Sequence, residues 1–127
     1  AAAFICYESV FPAIVRNLVS TGGTYLVLTT NDAWFAMGNG ARQHYDMGRL
    51  RAIETRRWLL RAGNDGITGV VNPAGKTIAE LPRGEAAWLA VTFYERTDVT
   101  LWVRYGSATT PILAIIVFIV GVVRRRS

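Results

Sequence analysis

Phe4-Ile5-Cys6-Tyr7-Glu8-Ser9-Val10-Phe11-Pro12 is the stretch that decides the fold. An apolar run ends at a thiol, a carboxylate follows two residues later, and a proline opens the next segment. Ala2 to Cys6 is short and apolar, as suits a buried strand. Phe11, Ile14, Val15, Leu18 and Val19 then recur at helical spacing, with Arg16, Asn17 and Ser20 opposite. Pro12 marks the start of that helix and Gly22-Gly23 its stop. Tyr25-Leu26-Val27-Leu28-Thr29 is β-rich and mostly apolar, as for an interior strand covered on both faces. Strand, helix, strand predicts an α/β unit with parallel strands. Cys6 then lies at the carboxyl end of the first strand, before a helix N-terminus. Asn31-Asp32-Ala33-Trp34-Phe35 lies at the same edge, where open α/β sheets form their ligand crevice.

The reading continues outward from that unit. Met37-Gly38-Asn39-Gly40 is a turn into a helical segment, about residues 41–62, with Arg51 and Glu54 at i,i+3 spacing and Arg61 near its end. Gly63-Asn64-Asp65-Gly66 breaks it. Ile67 to Val71 reads as a strand, Asn72-Pro73-Ala74-Gly75 as a turn, and Lys76 to Leu81 as the hairpin partner. Ala87 to Phe93 is a further apolar run. No internal repeat is visible.

The 127 residues suffice for one modest domain, and 51% of them are hydrophobic against 18% charged. The net charge of +5 suggests nucleic acid until it is located. Without Arg124, Arg125 and Arg126 it is 11 basic against 9 acidic residues, or +2. No basic stripe interleaved with aromatics remains, so nucleic acid is not an expected partner. The uncharged residues 107–123 reach roughly 25 Å as a helix, against a hydrocarbon core of about 30 Å. Snorkelling arginines, with Trp102 and Tyr105 upstream, cover the difference. The alternative is a buried core helix; the abutting arginines favour a membrane span, with residues 124–126 cytoplasmic. Residues 1–106 are therefore expected to form a domain, and 107–127 a transmembrane helix with an Arg-rich tail. The chain starts inside a core strand, so we expect it to be the C-terminal part of a longer protein.

Cys6 is the only cysteine, which excludes an internal disulfide. Cysteine chemistry needs the thiolate, and a helix N-terminus favours an anion. Glu8 beside it does not help, so a base or cation has to come from elsewhere. His44 is the sole histidine and Lys76 the sole lysine, the latter in an exposed turn. On the residues alone, Cys6 is a working nucleophile or an inert small hydrophobe.

The run Ile5 to Pro12 resembles the nucleophile region of the nitrilase superfamily. Thr30-Asn31-Asp32-Ala33-Trp34-Phe35, Gln43-His44, Arg49-Leu50-Arg51-Ala52-Ile53-Glu54 and Arg61-Ala62-Gly63-Asn64-Asp65-Gly66-Ile67-Thr68 are similar to its apolipoprotein N-acyltransferase branch. Each motif alone is weak; together, in register over nearly the whole chain, they are specific. The resemblance implies part of an α-β-β-α sandwich followed by one C-terminal transmembrane helix. It implies a Glu-Lys-Cys triad in which Cys6 carries the acyl group as a thioester, with the Glu and Lys upstream of this chain. Glu8 then matches the supporting acidic residue, and Tyr7 the neighbouring position that shapes the oxyanion site. Trp34 and Phe35 become candidates to contact acyl chains, with plain loop packing as the alternative. For His44 and Glu54 we expect structural hydrogen bonds or ion pairs.

The implied reaction moves an acyl group from a phospholipid to the α-amino group of a diacylglyceryl apolipoprotein, without metal or cofactor. The implied location is the bacterial inner membrane, with the domain periplasmic and the protein a monomer. This chain alone is expected to be inactive. Ala36, Ala41 and Gly48 depart from the branch, where glycine, proline and alanine are usual. The competing readings are another carbon–nitrogen hydrolase such as an amidase, or a non-catalytic membrane-tethered module that binds lipid or lipoprotein.

Overall fold

The computed structural model describes residues 1–35, 38–81 and 83–126. The readings at Ala36 and Met37 fall outside the described residues. One sheet of five strands organises them in strictly sequential order: β1 (Ala2–Ile5), β2 (Leu26–Asn31), β3 (Leu59–Asn64), β4 (Thr68–Val71) and β5 (Thr77–Leu81). The first three strands are parallel, and β4 and β5 complete the sheet as an antiparallel hairpin. The parallel strands are joined through α1 (Pro12–Ser20) and α2 (Gly40–Thr55).

Side chains alternate along β1 and β2, and one face of these strands is filled. Ala2, Phe4, Leu26, Leu28 and Leu59 point into a core closed by Val15 and Val19 of α1 and Tyr45 and Ala52 of α2. On the other face Ile5 and Thr29 are exposed. β2 is therefore covered on one side among the described residues, not on both. The predicted apolar stripe of α1 divides likewise: Val15 and Val19 are buried, while Phe11 and Ile14 are exposed.

The helix expected over residues 41–62 is corrected. α2 ends at Thr55, where Arg56 takes a left-handed conformation (φ 52°, ψ 43°) and reverses the chain. Residues 59–64 form β3, in register between β2 and β4. Three arginines at 56, 57 and 61 made this stretch look like a solvated helix end. Two of them are instead buried. Arg57 donates to the carbonyls of Gly23, Thr55 and Asp98, and Arg61 enters the core from β3.

After β5, residues 86–100 run without ladder pairing to α3 (Leu101–Tyr105). Thr100 caps α3 by accepting from the Val103 N–H, and its hydroxyl donates to the Glu54 carbonyl. Arg16 donates to the carbonyls of Trp102 and Arg104, which ties the segment to α1. A short 3-10 turn leads into α4 (Thr109–Arg126). Leu101–Arg125 forms a 25-residue helical stretch that by length and composition alone could cross a membrane. Its apolar side chains from Ile112 to Val123 are exposed, so it is not a core helix of the described residues.

Candidate active site

The carboxyl ends of the three parallel strands converge on Cys6. Ile5 is paired with Thr29, and Asn31 with Asn64, so the turns after β1, β2 and β3 share one edge. Cys6 opens a 3-10 turn (Cys6–Val10) and has φ +50°, one of three non-glycine residues with positive φ among the described residues. For a residue with a Cβ that conformation costs about 1–3 kcal/mol and persists only where the surroundings impose it.

The restraints are visible on both sides of the thiol. Before it, the Ile5 N–H donates to the Glu8 carboxylate at 2.7 Å. That is one half of a capping box, and it gives Glu8 a backbone to hold. After it, the Ser9 hydroxyl donates to the Cys6 carbonyl at 3.0 Å. His44 Nε2 lies 2.9 Å from Ser9 Oγ and 3.1 Å from the same carbonyl. Ser9 and His44 are both buried.

Beneath His44 the network runs deeper. Its Nδ1 is 2.8 Å from Asp32 Oδ1, and a carboxylate only accepts, so Nδ1 carries a proton. Thr30 donates to the same oxygen, and Arg61 Nη2 donates to Asp32 Oδ2 at 2.6 Å. Arg61 also donates to the carbonyls of Ile67 and His44, with its guanidinium 5.6 Å from the Tyr45 ring centre. Burial alone would raise the Asp32 carboxyl; hydrogen bonds from His44 and Thr30 and the charge of Arg61 outweigh it and hold it below the ordinary carboxylate range. Burial likewise pulls the Arg61 pKa down, opposed by Asp32. Gly66 closes the floor, since a Cβ there would come 2.6 Å from Asp32 Oδ2.

Aromatic rings surround the thiol's turn. Tyr7 is exposed, edge-on to Phe11 at 5.9 Å and 6.4 Å from the His44 ring. Trp34 is 68% exposed and stacks on Phe35, which lies 5.8 Å from His44 and occupies the space a side chain at Gly40 would need. The edge thus gathers Cys6, Tyr7, Glu8, Trp34 and Phe35. Lys76 lies in the turn after β4, away from it. Glu54 forms the expected ion pair with Arg51, at 2.9 Å. Among the described residues no cluster of His, Cys, Asp or Glu could hold a metal ion. A cavity of about 520 Å³, lined in part by Arg56, Trp58 and Pro73, lies at the opposite, amino-terminal end of β3.

Sequence reasoning left Ser9, Asp32 and Arg61 out of the site. All three stand within runs singled out above, with Arg61 also assigned to a helix end. The signal that could have found them is the sole histidine, which needs buried partners at both ring nitrogens.

A strained cysteine at the carboxyl edge of a mixed α/β sheet puts the molecule in the class of nitrilase-like folds. Residues 1–100 match the carbon-nitrogen hydrolase family, and the chain belongs to it. It is 39% identical over 122 residues to the apolipoprotein N-acyltransferase of Shewanella oneidensis, covering 96% of this chain and 24% of that protein. With the apolipoprotein N-acyltransferase of Thermotoga maritima it shares 40% over 104 residues, 80% of this chain and 20% of that one. The chain thus spans between a fifth and a quarter of the length of these relatives. A mutant amidase from Nesterenkonia sp. AN1, solved with the acetamide moiety of fluoroacetamide added to its active-site cysteine, is similar at TM-score 0.53 and 26% identity. That match covers 62% of this chain and 32% of the amidase.

Proposed function

We propose that this chain carries the nucleophile of an apolipoprotein N-acyltransferase, and that the nucleophile is Cys6. The observation that carries the reading is a lone thiol held at φ +50° at the carboxyl edge of the sheet, restrained on both sides. The similarity to transferases over nearly the whole chain supports the class of reaction. The covalently modified cysteine of the similar amidase supports a covalent route.

In this reading the Cys6 thiolate attacks the ester carbonyl of a phospholipid. The C–O bond breaks, a lysophospholipid leaves with a proton, and a thioester remains. The free α-amino group of a diacylglyceryl apolipoprotein then attacks the thioester carbonyl. The C–S bond breaks, an amide forms, and the amine's proton passes to a base. The base and the oxyanion-stabilising lysine of the family's triad would come from outside these 127 residues. Glu8 steadies the backbone before the thiol, Tyr7 helps shape the oxyanion site, and Trp34 and Phe35 offer an apolar shelf for acyl chains. The exposed apolar helix suits substrates that reside in a membrane, with the domain on the periplasmic side and the arginine tail cytoplasmic.

The amidase reading ends the same thioester with water, and the Nesterenkonia likeness keeps it in view. The full-length protein, given labelled phospholipid and an apolipoprotein peptide, separates the two. Transfer to the peptide amine, abolished in Cys6→Ala, supports the transferase. Release of free fatty acid with no amide product, from wild type, would point to hydrolysis.

A further inference from the structure

We infer that His44, seated on Asp32 and Arg61, is a positioning residue for Cys6, acting with Ser9 on the Cys6 carbonyl to hold the thiol's backbone in its left-handed conformation. The inference rests on the reading of Cys6 as nucleophile and goes beyond it, because neither His44 nor its partners touch the acyl group in that scheme.

The geometry is a clamp with a foundation. The Cys6 carbonyl receives the Ser9 hydroxyl at 3.0 Å and, because a carbonyl only accepts, His44 holds it at 3.1 Å through a proton on Nε2, the ring donating at both nitrogens. The imidazole is itself fixed, because Asp32 holds Nδ1 from below. Asp32 is fixed by Thr30 and Arg61, and Arg61 by the carbonyls of Ile67 and His44. The foundation therefore links the carboxyl end of β2, the middle of β3 and the start of α2 to the strained peptide at the end of β1.

A purely structural network would be indifferent to the carbonyl it meets. This one converges on the strained residue at the end of β1, which carries the thiol. Relaxing Cys6 toward an ordinary conformation would swing its Cβ and thiol away, and a misplacement of about 1 Å can cost roughly 10²-fold in rate.

The test uses full-length protein, with Cys6 alkylation by iodoacetamide and transferase kinetics measured side by side. His44→Ala should lower kcat by about 10²-fold with KM little changed, and slow Cys6 alkylation per folded molecule. His44→Gln, which returns an amide near the Nε2 position, should recover much of both. Ser9→Ala removes one hydroxyl from a small buried site and keeps the experiment decisive if His44→Ala does not fold; about a 5-fold loss in kcat is expected. Wild-type kcat and alkylation rate in folded Ser9→Ala or His44→Ala protein, whatever the melting temperature, would overturn the inference while leaving Cys6 as nucleophile. Failure of the nucleophile reading has its own signature, undiminished acyl transfer in Cys6→Ala.

Discussion

The carboxyl edge of the sheet and the C-terminal helix solve opposite problems. Around Cys6, ionised groups are buried: the side chains of Asp32 and Arg61 are fully enclosed, and each charge meets its partner within the fold. In α4 apolar groups are exposed, with Phe118 at 72% and Leu113 at 61%. Among the described residues the edge leaves no buried side-chain polar atom without a partner, whereas the helix leaves its apolar surface exposed. The lesson is that burial here follows pairing and not polarity: a guanidinium goes inside because a carboxylate waits there, and a row of isoleucines stays outside.

That contrast can be broken at its strongest point first. Replacing Arg61 with methionine leaves the buried Asp32 carboxylate with only His44 and Thr30 on one oxygen and none on the other, which costs about 3–5 kcal/mol. Urea unfolding of the full-length protein reads the loss, and a change within error would mean the pair is not buried as described. On the other side, Ile116→Lys puts a charge in the middle of α4. Membrane insertion should weaken by about 2.5–3.5 kcal/mol, seen by flotation with liposomes, while the unfolding midpoint of the sheet domain stays unchanged. If the midpoint falls instead, Ile116 packs in a core and the comparison fails.

Acid sharpens the same contrast by a smaller amount. The Asp32 carboxyl is held below its ordinary value of 3.8, so the native state favours the anion more than the unfolded chain does. The stability it contributes is complete above about pH 4 and is lost as pH falls through the lower native value. Asp32→Asn should remove that acid limb, shown as a flatter dependence of stability on pH below about 4. An unchanged acid limb would assign it to other carboxylates.

The first α/β unit was legible because each of its signals is local. Pro12 starts a helix, Gly22-Gly23 ends it, and two apolar runs flank it. The edge residues Cys6, Trp34 and Phe35 were legible for the same reason, since each follows directly on a strand. β3 was not. Its Leu59-Leu60 pair is brief and sits among arginines that mimic a helix terminus, and the turn that frees it depends on Arg56 taking a glycine-like conformation. The foundation under His44 was hidden by distance: Arg61 lies 29 positions from Asp32, and nothing local tells a buried arginine from a solvated one. The single filled face of β2 was missed because a short apolar strand reads alike with one face covered or two.

The central claim is that Cys6 takes the acyl group, and trapping tests it most directly. Full-length protein would be mixed with phospholipid in the absence of acceptor, quenched in acid and digested for mass spectrometry. The account predicts one acyl mass on the peptide containing Cys6, removed by neutral hydroxylamine and absent from Cys6→Ala. An acyl adduct on another residue, or transfer that proceeds in Cys6→Ala, would contradict it.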